Sequence, residues 1–258
     1  MPKSDWSPEL YLKFNKERIQ PSMDLVSRTD LENPETIIDI GCGPGNSARV
    51  LAGRWPKANI TGIDNSPAMI AKAKDDYPQG DWLRLDAGKE EIPGKFDLVF
   101  SNAAIQWIPD HAALLKKFYE ALKEGGALAV QVPLFFEMPL GISISRISKD
   151  DRWAAQTSMV DDLFTIHTRF EYYDLLCELF DDIEMWVTDY LHVMDSHLAI
   201  LEMVRSTGLR PYLDKLESDG DKKEYANMVL EDIKNDYSGQ KNGKVLFPFT
   251  RLFFIGRK

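Results

Sequence analysis

The sequence predicts a doubly wound α/β fold, a mostly parallel sheet covered by helices on both faces. Three observations carry this reading. Short apolar or β-branched runs alternate with stretches of helical periodicity between residues 36 and 132. Those runs are nearly continuous in their apolar character, as expected of strands buried on both faces. The first of them ends in a glycine-rich turn that opens directly into a helix.

Ahead of the sheet, residues 6–29 place Trp6, Leu10, Tyr11, Phe14, Met23, Leu25 and Val26 at apolar positions around Pro21. This predicts two short helices laid over the sheet. Thr36 to Ile40 is the first strand, and helical periodicity follows from Asn46 to Arg54. Asn59 to Asp64 is the second strand; Ser66 then caps a helix with Pro67 at its first position. Trp82 to Asp86 and Phe96 to Ser101 are strands three and four. A helix from His111 to Lys123 is expected to stop at Gly125-Gly126, before a fifth strand, Ala127 to Val132.

Beyond Pro133 the pattern changes. Residues 134–170 show no long period, Glu171 to Leu179 reads as helix, and Ile183 to Val193 alternates like a long strand. Helices are expected over 196–205 and 222–236, and a closing hairpin over Gly243 to Phe249 and Leu252 to Ile255. The sum is a seven-stranded sheet with an antiparallel last strand in one domain spanning 1–258. Within it, 1–30 form a helical lid, 31–133 a cofactor-binding core, and 134–258 the remaining strands with an inserted helical cap over the substrate.

Composition narrows the function. With 258 residues, 44% of them hydrophobic, the chain can bury a core without staples. Cys42 and Cys177 stand far apart, so neither a zinc nor a redox motif is indicated and no metal is expected. No run approaches the ~18 apolar residues of a membrane span, and the polar start is unlike a signal peptide. A cytoplasmic protein is the expectation. The net charge of −10 is spread among interspersed lysines and arginines, which argues against nucleic acid. No obligate protein partner is indicated. An anionic small molecule would need a local cluster of cations working against the overall field.

The informative segment is Asp39-Ile40-Gly41-Cys42-Gly43-Pro44-Gly45-Asn46, between the first strand and its helix. Glycines there permit a tight turn and a close backbone approach to a ligand. The spacing is GxGxG; in the GxGxxG of dinucleotide binders a third glycine would stand at Asn46. Asp64 ends the second strand 19 residues after Gly45, where a carboxylate can take both ribose hydroxyls. Asp86 ends the third and could accept from an adenine amino group. Acids at the ends of three successive strands suit a ligand that is cationic at one end and hydroxylated in the middle, and would repel a diphosphate.

At these residues the chain resembles the class I S-adenosylmethionine-dependent methyltransferases, which have a Rossmann-like sheet. Within them it is similar to the trans-aconitate methyltransferase family, which methylates a carboxylate of a small tricarboxylic acid. The resemblance is carried by Trp6 to Arg18 (WSPELYLKFNKER), IGCGPGNS, TGIDNSPAMIAKA and Asn102 to His111 (NAAIQWIPDH). Thr207 to Pro211 and Phe247 to Phe253 add to it, and it thins over 133–170. It implies S-adenosylmethionine as cofactor, with Asp39, Gly41, Gly43 and Gly45 at the methionine end beside Cys42 and Asn46. It further implies Asp64 on the ribose, Asn65 and Met69 near the adenine, Asp86 and Ala87 at its rim, and Asn102 lining the site. Tyr11 and Arg18 would fold over the cofactor.

Methyl transfer from a sulfonium to a carboxylate is an in-line displacement by a nucleophile already ionised at neutral pH. No general base is needed, and none is expected among His111, His167, His192 and His197. Trp107 is a candidate wall of the substrate pocket; Arg205, Arg210 and Arg251 are candidates for bidentate carboxylate binding. Three alternatives stay open: another acceptor such as an amine, phenol or hydroxyl, a nicotinamide-dependent oxidoreductase, and a non-catalytic binding module.

Overall fold

The structure is a computed structural model that describes residues 15–258, with side chains from residue 19 onward. Its strands are β1 (Thr36–Ile40), β2 (Asn59–Asp64), β3 (Asp81–Arg84), β4 (Phe96–Asn102), β5 (Leu122–Pro133), β6 (Asp182–Met194) and β7 (Val245–Arg257). They form one seven-stranded sheet in the order β3-β2-β1-β4-β5-β7-β6. β1 to β5 pair in parallel, while β7 runs antiparallel between β5 and β6.

Side-chain alternation along the strands sends apolar groups to both faces. On one face Ile37, Leu98, Phe100 and Phe253 meet Leu25 and Val26 of helix α1 (Asn15–Arg28) and Leu51 of helix α2 (Asn46–Arg54). On the other, Ile38, Val99, Leu128 and Phe254 meet Leu115 and Phe118 of helix α4 (His111–Ala121). Helix α3 (Pro67–Asp76) starts as its sequence dictates: the Ser66 hydroxyl accepts from the Met69 amide, with Pro67 at the first turn. Such a cap contributes on the order of 1 kcal/mol.

Residues 134–181 and 195–244 form the cover. It includes α5 (Pro139–Ser148), α6 (Ala154–Thr157), α7 (Arg169–Cys177), α8 (His197–Arg205), α9 (Arg210–Leu213) and α10 (Asp219–Asp236). Trp153, Tyr212, Tyr225, Val229 and Ile233 pack there around Phe247 and Phe249, at the end of β7 that extends past β5.

Four sequence expectations need correction. The helix break at Pro21 does not occur in the described residues: α1 runs through it. The helix expected to reach Lys123 ends at Ala121, and Gly125-Gly126 lie inside β5 beside its register shift against β4. The C-terminal hairpin is a single 13-residue strand paired along its length with β6. Pro248 is tolerated there because β5 ends opposite Arg251, leaving Pro248 with a neighbour on one side only. Lastly, the stretch without a long period, 134–170, holds a buried helix, α5, whose apolar residues on several sides mask its period.

At the opposite edge from the strand ends that bear the glycine turn, Asp97 fixes the register of three strands. Its Oδ2 accepts from the Glu35 and Thr36 amides (3.0 and 2.8 Å), the Thr36 hydroxyl (2.9 Å) and Lys123 Nζ (2.9 Å). Partial burial pushes its carboxyl up, but these donors outweigh that and hold it below the usual range. Because the folded-state pKa is depressed, the stabilisation is present above about pH 4 and is lost as pH falls through the folded value. Asp97→Ala should cost about 1–3 kcal/mol at neutral pH, read as a lowered Tm, with the difference from wild type shrinking on acidification.

Candidate functional site

The carboxyl ends of β1, β2, β4 and β5 open on a cleft of about 600 Å³. Its first wall consists of Gly41, Gly43, Asp64, Asn65, Met69, Asp86, Ala87 and Asn102. Its second comes from the cover and the loop after β4, with Trp107, Phe135, Phe164, Met203, Val204 and Phe249. Trp107 stacks at a tilt on Phe164, ring centres 4.6 Å apart. Arg210 and Arg251 stand on this second side.

The glycine turn explains the first wall. Gly41 (φ +69°) sits so close to the loop after β4 that a Cβ would lie 2.2 Å from the Ala104 methyl. Gly43 (φ +55°) is different, since a Cβ there would meet no protein atom within 4 Å. Its exposed backbone faces space that a ligand can occupy, and its amide donates to Asp64 Oδ2 at 2.9 Å. The other oxygen of Asp64 accepts from the Ser66 amide at 2.8 Å. Asp64 is thereby fixed at the rim of the cleft with its carboxylate held by two amides. Asp86 is held by the Gly88 amide (3.1 Å) and Lys89 Nζ (2.7 Å).

Behind the turn lies a cavity of about 20 Å³ that shares Gly41 and Asn102 with the cleft. Ile19 and Ser22 of α1 roof it, with Cys42, Pro44, Asn46 and Ser47 around it. Ser47 donates to Asp39 Oδ2 at 2.5 Å, and Asp39 is fully buried. Burial pushes the Asp39 carboxyl up to about 7; the Ser47 hydrogen bond opposes this, the neighbouring Asp64 charge adds to it, and the Ala48 amide opposes it. Asp39 Oδ1, Asn102 Oδ1 and Ser22 Oγ are buried with no hydrogen-bond partner. Buried polar atoms are normally paired, and a cluster left unpaired is what a polar ligand would complete. Asn102 Oδ1 can only accept from a ligand, and Asp39 Oδ1 does so once its carboxyl is ionised. The set therefore fits an ammonium group at the end of a ligand whose middle lies over Gly43 and Asp64, as in S-adenosylmethionine.

The structure brings together Gly41, Gly43, Asp64, Asn65, Met69, Asp86, Ala87, Asn102, Trp107, Arg210 and Arg251 on one cleft. It places others elsewhere. Gly45 lies outside the cleft: at φ +91° it caps α2 with its Cα against Tyr77 and Trp82, so it serves packing. Cys42 directs its sulfur into the cluster of Ala48, Ile70, Ala73 and Trp82, where burial pushes the thiol well up. Asn46 borders the small cavity and not the cleft. Arg205 is exposed at the end of α8 and is absent from the cleft wall. Tyr11 and the Arg18 side chain lie outside the described residues. Sequence reasoning missed Ser22 and Ser47 at the small cavity, Gln106 on the cleft wall, and Gln131, buried on β5 opposite Asn102 and hydrogen-bonded by Arg251. A lone Gln within the apolar run ALAVQV was the available signal for Gln131. The remaining signal at this site is backbone: Ala103, directly after Asn102, is held at φ +54°, a left-handed conformation disfavoured for residues with a Cβ.

Residues 37–126 match a family model described as a methyltransferase domain. The trans-aconitate 2-methyltransferase of Escherichia coli O7:K1 is 38% identical over 255 residues, 99% of each chain. Among solved structures, the YcgJ protein from Bacillus subtilis superposes with a TM-score of 0.64 at 14% identity, covering 92% of this chain and 98% of that one. Phosphoethanolamine N-methyltransferase 2 of Haemonchus contortus, solved with S-adenosyl-L-methionine, gives 0.57 at 20% identity, covering 92% and 52%. The last two show the shared fold. The near full-length identity settles the family, and the chain belongs to the trans-aconitate 2-methyltransferases, S-adenosylmethionine-dependent methyltransferases built on a Rossmann-like sheet.

Proposed function

We propose that this protein transfers a methyl group from S-adenosylmethionine to a carboxylate of trans-aconitate, giving a methyl ester and S-adenosylhomocysteine. The observation that carries the reading is one cleft joining two chemistries. An acid-edged end (Asp64, Asp86) leads into an aromatic chamber where Arg210 and Arg251 stand, in a protein that is otherwise acidic. The name of the 38% identical relative points the same way.

When bound, the cofactor supplies an electrophilic methyl on a sulfonium. Asp39 and Asn102 would accept from its ammonium, Gly43 and Asp64 would hold the ribose, and Met69, Ala87 and Asp86 would flank the adenine. Trp107 and Phe164 would enclose the acceptor, and Arg210 and Arg251 would receive its carboxylates. Arg210 already shares Asp214, with Nε 3.3 Å from Oδ2. Acceptor carboxylates are ionised above about pH 5, so no side chain has to remove a proton. The protein's work is alignment of oxygen, carbon and sulfur, worth up to ~7–11 kcal/mol in well-oriented models, and exclusion of water. Ile19 and Ser22 of α1 would close over the ammonium end. Among the described residues no helix is long and apolar enough to cross a membrane, and we place the reaction in the cytoplasm with a small-molecule acid as its partner.

Incubation with radiolabelled methyl donor and a panel of di- and tricarboxylic acids tests the reading. Base-labile label on trans-aconitate is expected; label confined to amines or phenols would overturn it. Gly43→Ala should weaken S-adenosylhomocysteine binding at least tenfold by calorimetry, since its new methyl enters open space reserved for the ligand, while the strain of a left-handed Ala costs only about 1–2 kcal/mol of stability. The pH dependence of that binding follows from Asp39. An ammonium favours the ionised carboxylate, so a group with a pKa of about 7 must release its proton on binding at lower pH. Affinity should fall progressively as pH drops from 7.5 to 5.5 and level off above 7.5, and Asp39→Asn should abolish the slope.

A further inference from the structure

We infer that Gln131 determines acceptor specificity: its carboxamide nitrogen and the Arg251 guanidinium together clamp a carboxylate of the acceptor other than the one methylated. The inference rests on the acid-methylating reading above and assigns a residue to it.

Register places these groups side by side. Asn102 of β4 lies opposite Gln131 of β5, and Pro133 of β5 opposite Arg251 of β7. Opposed residues share a face and alternate residues return to it, so Asn102, Gln131, Pro133 and Arg251 project on one side. Asn102, Pro133 and Arg251 border the cleft. Gln131 is fully buried in this row.

The amide orientation is fixed by its neighbour. Arg251 Nη1 donates to Gln131 Oε1 at 3.1 Å. A guanidinium has no acceptor, so the oxygen of the amide must face it and the NH₂ must face away. That NH₂ is buried without a hydrogen-bond partner. The guanidinium lies over the Phe249 ring at 4.4 Å, and Phe249 is itself part of the chamber wall. Gln131 itself stands just behind the cleft wall that Asn102, Pro133 and Arg251 form, and its unpaired amide donor beside the Arg251 guanidinium suits an anionic acceptor, for which a carboxylate is the smallest group that uses both. It would be a carboxylate that does not react, because donors on the attacking oxygen would tie up the lone pair needed for displacement.

Two carboxylates could reach this place, one from the acceptor and one from the methionyl end of the cofactor. Gln131→Glu, which is isosteric and keeps the oxygen facing Arg251, and Gln131→Met separate them. Calorimetry would measure S-adenosylhomocysteine binding, then binding of tricarballylate, an unreactive tricarboxylate, to the loaded protein, alongside KM for trans-aconitate. The expected result is unchanged S-adenosylhomocysteine affinity with tricarballylate binding weakened, and KM raised, about ten- to a hundredfold, as befits loss of hydrogen bonding to a charged group. Weakened S-adenosylhomocysteine binding in a variant that still unfolds cooperatively would give the clamp to the cofactor and overturn the assignment. Unaltered binding of both ligands would make Gln131 a packing residue and overturn it equally. A wild-type protein that neither binds tricarballylate nor esterifies any acid sinks the acid-methylating reading itself, before either variant is made.

Discussion

A carboxylate buried near the end of β1, under the first turn of α2, is the constraint around which this site is arranged. Asp39 has no access to solvent, and an ion taken from water into such surroundings is expensive unless its oxygens are satisfied. Ser47 and the Ala48 amide satisfy part of it, and the rest is left as an unpaired oxygen and a raised pKa. The carboxyl on its own is therefore only partly ionised at neutral pH. A ligand ammonium would turn that deficit into binding selectivity, because it supplies both the missing donor and an opposite charge, where a neutral donor supplies only the first. The tight turn over Gly41 and Gly43 exists in the same context: it brings the backbone past Asp39 without filling the space in front of it.

The two halves of the cleft draw on different parts of the chain. The side proposed for the nucleoside is built from strand ends between residues 39 and 102, with Asp64 and Asp86 held by backbone amides and a neighbouring lysine. The side proposed for the acceptor is built from the cover, the loop after β4 and the ends of β5 and β7, where Trp107 stacks on Phe164 and Arg251 lies over Phe249. The cover is itself tied together by polar links. Asp161 takes hydrogen bonds from Ser145 and Tyr212, both at 2.6 Å, and an ion pair from Lys149 at 2.9 Å. Tyr212 in turn stacks on Phe164, so the chamber wall is anchored to the helices behind it. Chamber shape can therefore vary with the cover while the cofactor edge stays fixed.

What could be read from the sequence follows from range. Strand and helix limits around β1, α2, β2 and α3 were legible because they depend on local signals: β-branched runs, a glycine turn, a serine cap followed by proline. The gathering of Asp64, Asp86 and Asn102 followed from the rule that parallel strands present their ends together. Gly45 and Arg205 fall outside the cleft for a common reason. The motif spacing does not reveal that Tyr77 and Trp82, from another part of the chain, pack against Gly45. Nor does an arginine at a helix end disclose whether that end faces a pocket or solvent. Gln131 escaped notice because its significance arises from a pairing with residue 251, which no local pattern encodes.

The position of β7 has a consequence for how the molecule comes together. It follows every other strand in the chain, yet it sits inside the sheet, with β5 on one flank and β6 on the other. Until it is synthesised, β6 has no strand beside it and thirteen residues of its backbone lack ladder partners. The strands of the nucleoside half, β1 to β5, all lie within residues 36–133 and can pair while the ribosome is still at work, whereas the acceptor chamber waits for β7 to insert and set Arg251 opposite Pro133, a long-range step of the kind that slows folding. Newly made chains would thus pass through a stage able to hold the methyl donor but not yet the acid, with an apolar slot open to chaperones or to a misplaced strand from a neighbour.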